Sequence, residues 1–261
     1  MALMRLGEVP KDAPMNPVLN LILTHQSTPA VHKMIGYWKD HVDPGSILIA
    51  YGGSRDEFDR IDYEAKFFIE SSGLRTRDHQ REFQSYTGLF QAAEAFLQMN
   101  GRHFSFVHFA EYDHLPLIED LNQRQIHRLQ AENADVLGFH VNQVDGTSNP
   151  HFLYHMASTE FLQYWMKITR RNEFDVVLSM FGSGSFWSRE AFCGVTALEE
   201  PFPMYMEIYL PTLAHHLGFR VRDFGEQNRF IGVLKDQTDK IKESTRAGAW
   251  TLHPVKKLWS K

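Results

Sequence analysis

Apolar positions in this chain fall into short continuous runs, separated by stretches with helical spacing. Val18 to Thr24 (VLNLILT) and Ser46 to Tyr51 (SILIAY) have the length and composition of strands buried on both faces. Between them, Ala30 to His41 places Val31, Met34, Ile35 and Trp38 at i, i+3, i+4 and i+7, which predicts a helix. Pro29 suits its first position, with Ser27 or Thr28 as cap. A strand–helix–strand opening implies a parallel pair joined by a right-handed crossover. The loops after both strands then open on the same sheet edge.

The same pattern continues. Ala65 to Ile69 predicts a third strand, and the charged stretch Glu70 to Gln84 a solvated loop, unless one of Arg75, Arg77 or Arg81 meets a diphosphate. Thr87 to Met99 is a helix with Leu89, Phe90, Ala93, Phe96 and Leu97 on its apolar face, stopped by Asn100-Gly101. Phe104 to Phe109 is a central strand. Pro116 to Ala131 predicts a polar helix, Ala134 to His140 a strand, Val141 to Tyr154 a loop, and Ser158 to Arg170 a helix with Phe161, Leu162, Trp165 and Ile168 inward. Val176 to Met180 is a further strand, and Phe181-Gly182-Ser183-Gly184-Ser185-Phe186-Trp187 reads as a small-residue loop entering a helix near Ser188. Pro203 to Leu217 is the last strong helix, followed by short strands at Phe219 to Val221 and Phe230 to Val233 and a charged helix over Lys235 to Arg246. Strands alternating with helices give the α/β class with a mostly parallel central sheet flanked by helices. With no repeat and no long linker, one domain is expected over residues 18–261, behind an extended lead-in at 1–17.

Composition narrows the function classes. Of 261 residues, 43% are hydrophobic and 23% charged, ordinary for a soluble protein with a sizeable core. A net charge of −5 implies no general affinity for nucleic acid or anionic membrane. Cys193 is the single cysteine, so an internal disulfide and thiolate metal clusters are excluded. The first residues lack the apolar core of a signal peptide, and no run approaches the roughly 18 apolar residues of a membrane span. The expectation is a cytoplasmic protein, with peripheral contact as the one membrane role left open.

The candidate chemistry centres on Glu111-Tyr112-Asp113-His114, where the central strand breaks without Gly or Pro. Two carboxylates this close repel, and both stay ionised only beside a cation or hydrogen-bond donors. Hard divalent cations take such ligands together with substrate phosphates, and open α/β sheets bind ligands beyond the carboxyl ends of their strands. The alternative is acidic residues that merely favour the first turn of the next helix. Thr24 and Gly52-Gly53 end the first two strands on that same edge, either facing a nucleotide or forming plain turns.

Four features then occur in order: the opening unit with small residues after its second strand, the Glu-Tyr-Asp turn, a Gly/Ser loop leading into Ser188-Arg189-Glu190-Ala191, and Glu207 eleven residues before Gly218-Phe219-Arg220-Val221. This order resembles the GT-A class of nucleotide-sugar glycosyltransferases, the inverting family-two type above all. The resemblance implies a single GT-A-like domain with a Rossmann-like N-terminal half, residues 18–115 binding nucleotide and 116–261 binding acceptor. It implies Mn²⁺ or Mg²⁺ on Glu111 and Asp113, with His253 as a third ligand, and Glu207 as the catalytic base. Thr24, Gly52, Gly53 and Lys256 would contact the donor nucleotide. Gly182, Gly184 and Trp187 would contact donor or acceptor sugar, Trp187 as a stacking platform unless its helix buries it. The partners implied are a nucleoside-diphosphate sugar and a glycan or other hydroxyl acceptor. The chain departs from the class in having Glu rather than Asp at 111 and Met rather than an acid at 206, and Asp56, Glu57 and Asp59 are open as nucleoside contacts. A nucleotide-sugar hydrolase, a nucleotidyltransferase or a non-catalytic binding module of the same fold are the alternative readings.

Overall fold

Every residue of β1 (Val18–Thr24) is buried, because helices cover both faces of the sheet it belongs to. Leu19, Leu21 and Leu23 join one apolar cluster and Ile22 the opposite one, which is the two-residue alternation of a strand. The computed structural model describes residues 17–70, 79–145, 157, 159–168, 176–197, 206–232 and 235–259. Among these, β1 is followed by α1 (Thr28–Lys39), β2 (Ile47–Tyr51), α2 (Arg55–Arg60), β3 (Lys66–Phe68), α3 (His79–Met99) and β4 (Phe106–Glu111). Strands β1, β2, β3 and β4 are mutually parallel, so Thr24, Tyr51 and Glu111 end on one edge. Val31, Met34, Ile35 and Trp38 of α1 pack on one face of the sheet; Leu89, Phe90, Ala93 and Leu97 of α3 pack on the other.

The second half adds β5 (Leu115–Pro116), α4 (Leu121–Ala131), β6 (Val136–Gln143), α5 (Thr159–Ile168), β7 (Leu178–Ser188), α6 (Arg189–Thr196), α7 (Met206–His216), β8 (Val221–Asp223), α8 (Ile241–Arg246) and β9 (Thr251–Leu252). The described residues form a seven-stranded sheet in the order β3-β2-β1-β4-β7-β6-β8, with β7 alone antiparallel to its neighbours β4 and β6. The molecule is an α/β domain built on a mostly parallel sheet. A separate two-stranded ribbon joins β5 to β9. Among the described residues no helix is long and apolar enough to cross a membrane.

Several expectations are corrected. The Gly/Ser stretch is not a loop: Phe181 to Ser188 is the body of β7, inserted between β4 and β6. Hydrophobic periodicity misses it because small residues are required where large rings cross. At Gly184 (φ +87°) a Cβ would lie 2.2 Å from His114 Cε1 and 2.7 Å from Phe139. Strand β6 runs to Gln143, into the expected loop. The helix after β5 starts at Leu121 rather than Pro116, because Leu115 and Pro116 pair with β9. Leu162 is 57% exposed rather than inward. Residues 225–230 form a 3-10 turn where a strand was expected to start at Phe230, and only Ile231 makes a β-bridge, to His253. Helix α3 begins at His79, inside the expected solvated loop; Arg75 and Arg77 lie outside the described residues, as do Ser158, Tyr205 and Val233.

Candidate metal centre

Strand β4 delivers Glu111 to the carboxyl edge, and Tyr112 N–H continues the parallel ladder by donating to Leu23 O at 2.8 Å. A tight turn follows, closed by His114 N–H donating to Glu111 O at 2.9 Å. That turn swings Asp113 back under the edge, where it is 4% exposed. Ser183 of β7 braces the first ligand by accepting Glu111 N–H on its Oγ at 2.9 Å.

The third member comes from far along the chain. Residues on either side of β9 run beside the turn: Leu117 N–H donates to Trp250 O, Val255 N–H donates to Asp113 O at 2.8 Å, and Trp259 Nε1–H donates to Tyr112 O at 2.8 Å. This strap sets His253, 5% exposed, against the carboxylates. One donor atom each from Glu111, Asp113 and His253 lies within 4.8 Å of the other two. Lys256, on the same strap, places Nζ 3.8 Å from Asp113 Oδ2 with its side chain half exposed.

The protonation pattern suits a cation. His253 Nδ1 lies 2.9 Å from the Gly232 carbonyl, an acceptor, so Nδ1 carries the hydrogen. In the neutral ring the Nε2 lone pair then points toward Asp113 Oδ1, 3.3 Å away. That oxygen is buried and makes no hydrogen bond. Two lone pairs facing each other in a buried place call for a positive charge, either a proton on Nε2 or a metal ion shared by both. Burial disfavours the imidazolium, but the Asp113 carboxylate 3.3 Å away, the charge of Glu111 and the Gly232 carbonyl outweigh it and hold the His253 pKa above its usual value. Two carboxylates and one imidazole fit a divalent ion of the Mn²⁺ kind better than Mg²⁺ or Ca²⁺, which prefer all-oxygen shells.

The other expected site residues are distributed as follows. Gly52 N–H donates to Thr24 O at 2.8 Å, which joins the two loop starts on the metal edge. Thr24 is fully buried and its Oγ1 accepts Gln26 N–H at 3.2 Å, so its hydroxyl shapes the turn. Gly53 makes room for the Tyr51 ring, which a Cβ would meet at 2.1 Å and whose hydroxyl donates to Gln26 O at 2.9 Å. Gly182 and Glu207 are brought together: Gly182 N–H donates to Glu207 Oε1 at 2.9 Å, and Glu207 is half-buried in the first turn of α7. Gly184 lies under the His114 ring. Trp187 is corrected. It is 0% exposed, packs edge-on against Phe90 and donates Nε1–H to Ser185 Oγ at 2.9 Å, so it offers no face to a sugar. Glu57 caps α1, its Oε2 accepting Thr28 N–H at 2.6 Å and the Thr28 hydroxyl at 2.5 Å.

Sequence reasoning missed four residues around this centre. The Phe181 ring, half-buried, stands 4.8 Å from the His253 ring in an edge-on contact. His114, whose two ring nitrogens have no hydrogen-bond partner, lies 5.7 Å from His253 and is held neutral by burial and by the neighbouring His253 and His108. Ser183 and the Gly232 carbonyl complete the list. The Glu-Tyr-Asp-His order is a local signal for His114; a backbone carbonyl carries none.

No protein-family model matches the chain, and no curated protein matches it. Among solved structures it is similar to a mannosyltransferase of Pyrobaculum calidifontis in complex with GDP-Man and Mn²⁺ (12% identity, TM-score 0.42, covering 80% of this chain and 55% of that one). The chain thus spans about half of that protein's length. It is also similar to core-mannan synthase A of Aspergillus fumigatus in a Mn/GDP form (9% identity, TM-score 0.43, covering 84% and 75%). A third similar structure is a glycosyltransferase involved in glycosylation of the major capsid of PBCV-1 (13% identity, TM-score 0.44, covering 90% and 91%).

Proposed function

We propose that this chain is a divalent-metal-dependent glycosyltransferase that moves a sugar from a nucleoside-diphosphate sugar to an acceptor hydroxyl with inversion. The observation that carries the reading is the convergence of Glu111, Asp113 and His253 on the carboxyl edge of the sheet, with Asp113 Oδ1 buried and without a hydrogen bond. Glu111, Asp113 and His253 would hold the ion, and a bound divalent ion supplies Lewis-acid neutralisation of the leaving diphosphate. Lys256 adds a mobile positive charge beside it for the phosphates. Thr24, Gly52 and Gly53 border the nucleotide through their backbone; the Thr24 hydroxyl is engaged by Gln26 N–H and the Tyr51 ring fills the side-chain space at Gly53.

In the transfer, the acceptor oxygen forms its bond to the anomeric carbon while the bond from that carbon to the diphosphate oxygen breaks, and the acceptor proton passes to Glu207. The Gly182 N–H orients the Glu207 carboxylate through Oε1 for that role. Gly182 is close enough that a Cβ would sit 3.3 Å from Oε1, so a side chain there would crowd the base. Gly184 contributes by admitting His114 rather than by touching sugar.

The test is a thermal-shift panel of nucleoside diphosphates with Mn²⁺, with Mg²⁺ and with chelator. A ligand at one hundred times its Kd stabilises the fold by about 2.7 kcal/mol, and here one diphosphate should do so only with metal. Absence of any metal-dependent shift would sink the reading. Glu207→Gln should keep that shift while transfer falls by about 10²–10⁴-fold. Release of free sugar without an acceptor would point to a hydrolase instead, and binding without any turnover to a non-catalytic module.

A further inference from the structure

His253 belongs to a strap that meets the rest of the site edge-on, and something must keep its imidazole at the carboxylates. Two backbone bonds contribute: Gly232 N–H donates to His253 O at 2.8 Å, and His253 N–H donates to Phe230 O at 3.3 Å. The Gly232 carbonyl selects the ring tautomer by accepting from Nδ1. Its hold on the ring depends on residues 230–232 and residue 253 staying in fixed relation. One side chain spans both. Gln237 Nε2 donates to Phe230 O at 3.2 Å and also to His253 O, and the Gln237 backbone N–H donates to Pro254 O at 2.8 Å. Gly232 leaves room for this amide, since a Cβ there would stand 3.3 Å from Nε2.

Resting on the metal-centre reading, we infer that Gln237 is the positioning residue of His253: its amide staples the segment that carries the tautomer-selecting carbonyl to the segment that carries the ligand. A primary amide is suited to this, because a single nitrogen supplies two hydrogens to two carbonyl oxygens. Methionine has similar length and no donor. Glutamate would set carboxylate oxygens against both carbonyls. Partners that orient a metal-bound histidine commonly change metal affinity by about 10–100-fold when removed.

The experiment uses the whole chain and Mn²⁺ alone as the probe. Gln237→Met should raise the Mn²⁺ Kd about 10–100-fold. At saturating Mn²⁺ it should also weaken the imidazole-nitrogen modulation in pulsed electron paramagnetic resonance, a signature that general loosening of a surface turn would not move. His253→Ala is the reference for complete loss of that signal. If the wild-type signal is present and lost in His253→Ala, yet Gln237→Met keeps both its Kd within twofold and its modulation, the inference is overturned while the metal centre stands. If the wild type binds no Mn²⁺, or His253→Ala keeps the modulation, the metal-centre reading fails and the inference falls with it. Should Gln237→Met not fold, Gln237→Glu carries the same expectation. In the unaltered chain, Mn²⁺ should also slow hydrogen exchange at the Gly232 and Gln237 amides, and unchanged exchange there would count against the staple.

Discussion

Asp113 is 4% exposed and sits beside Glu111, His253 and Lys256, its carboxylate 3.3 Å from His253 Nε2 and 3.8 Å from Lys256 Nζ. Removing the charge should therefore abolish the response to metal. For Asp113→Asn we expect loss of the roughly 2.7 kcal/mol that saturating Mn²⁺ adds to the wild type. A variant that still responds to Mn²⁺ would exclude Asp113 as a ligand. His108, in the middle of β4, makes a different prediction. It is fully buried, its Nδ1 lies 3.0 Å from Asn20 Oδ1, and burial pushes its pKa down to about 3. Unfolded, it titrates near 6.5. Above that pH both states are neutral and His108 adds no pH dependence. Below it the unfolded chain takes up a proton that the fold refuses, so stability falls by about 1.4 kcal/mol per pH unit toward pH 3. Urea unfolding of His108→Gln between pH 6.5 and 5 should show a shallower decline than the wild type, and equal slopes would contradict a neutral buried His108.

Among the elements, β7 carries the site without looking like a strand. Ser183 holds Glu111 through its hydroxyl, Gly182 holds Glu207 through its N–H, and Phe181 edges His253, so three successive residues touch the metal edge and the proposed base. Gly184 is the constraint that shapes it. Its positive φ disfavours any side chain by about 1–2 kcal/mol, and a Cβ would enter the His114 ring, adding about 1–3 kcal/mol of overpacking. Gly184→Ala should lose roughly 2–5 kcal/mol in chemical denaturation. A loss below about 1 kcal/mol would mean that the His114 ring moves aside freely.

Across the molecule, the C-terminal strap is both core and part of the proposed metal centre. Leu252 and Val255 are fully buried and Trp259 is 5% exposed, packed in the cluster that α1 shares with β1 and β2. Burying one aliphatic side chain contributes about 1.5–3 kcal/mol, so ending the chain at Trp250 should destabilise the fold by roughly 3–6 kcal/mol from Leu252 and Val255 alone. The same truncation should remove all response to Mn²⁺. His253→Ala should remove the metal response without the large loss of stability. If truncation costs no more than the point variant, the strap is not part of the core.

What the sequence alone determined about this protein is what neighbouring residues settle between themselves. The continuous apolar runs specify β1, β2 and β4 because both faces of those strands are covered, and the helical spacing of Val31 to Trp38 specifies the face α1 buries. The α/β class, the shared edge and the acidic turn on it follow from these local patterns. The tertiary structure decided the rest. β7 has Gly and Ser where periodicity needs apolar residues, since the rings of His114 and Phe139 fill that space from other elements. Trp187 looks like a binding aromatic until Phe90 packs edge-on against it in the interior. His253 becomes a ligand candidate because an edge ribbon returns the chain end to a turn about 140 residues earlier, a contact set by cross-strand hydrogen bonds and side-chain burial rather than by spacing. Local sequence sets which way a side chain leaves the backbone; which atoms meet at a site depends on contacts between distant segments, and those exist only once the core has formed.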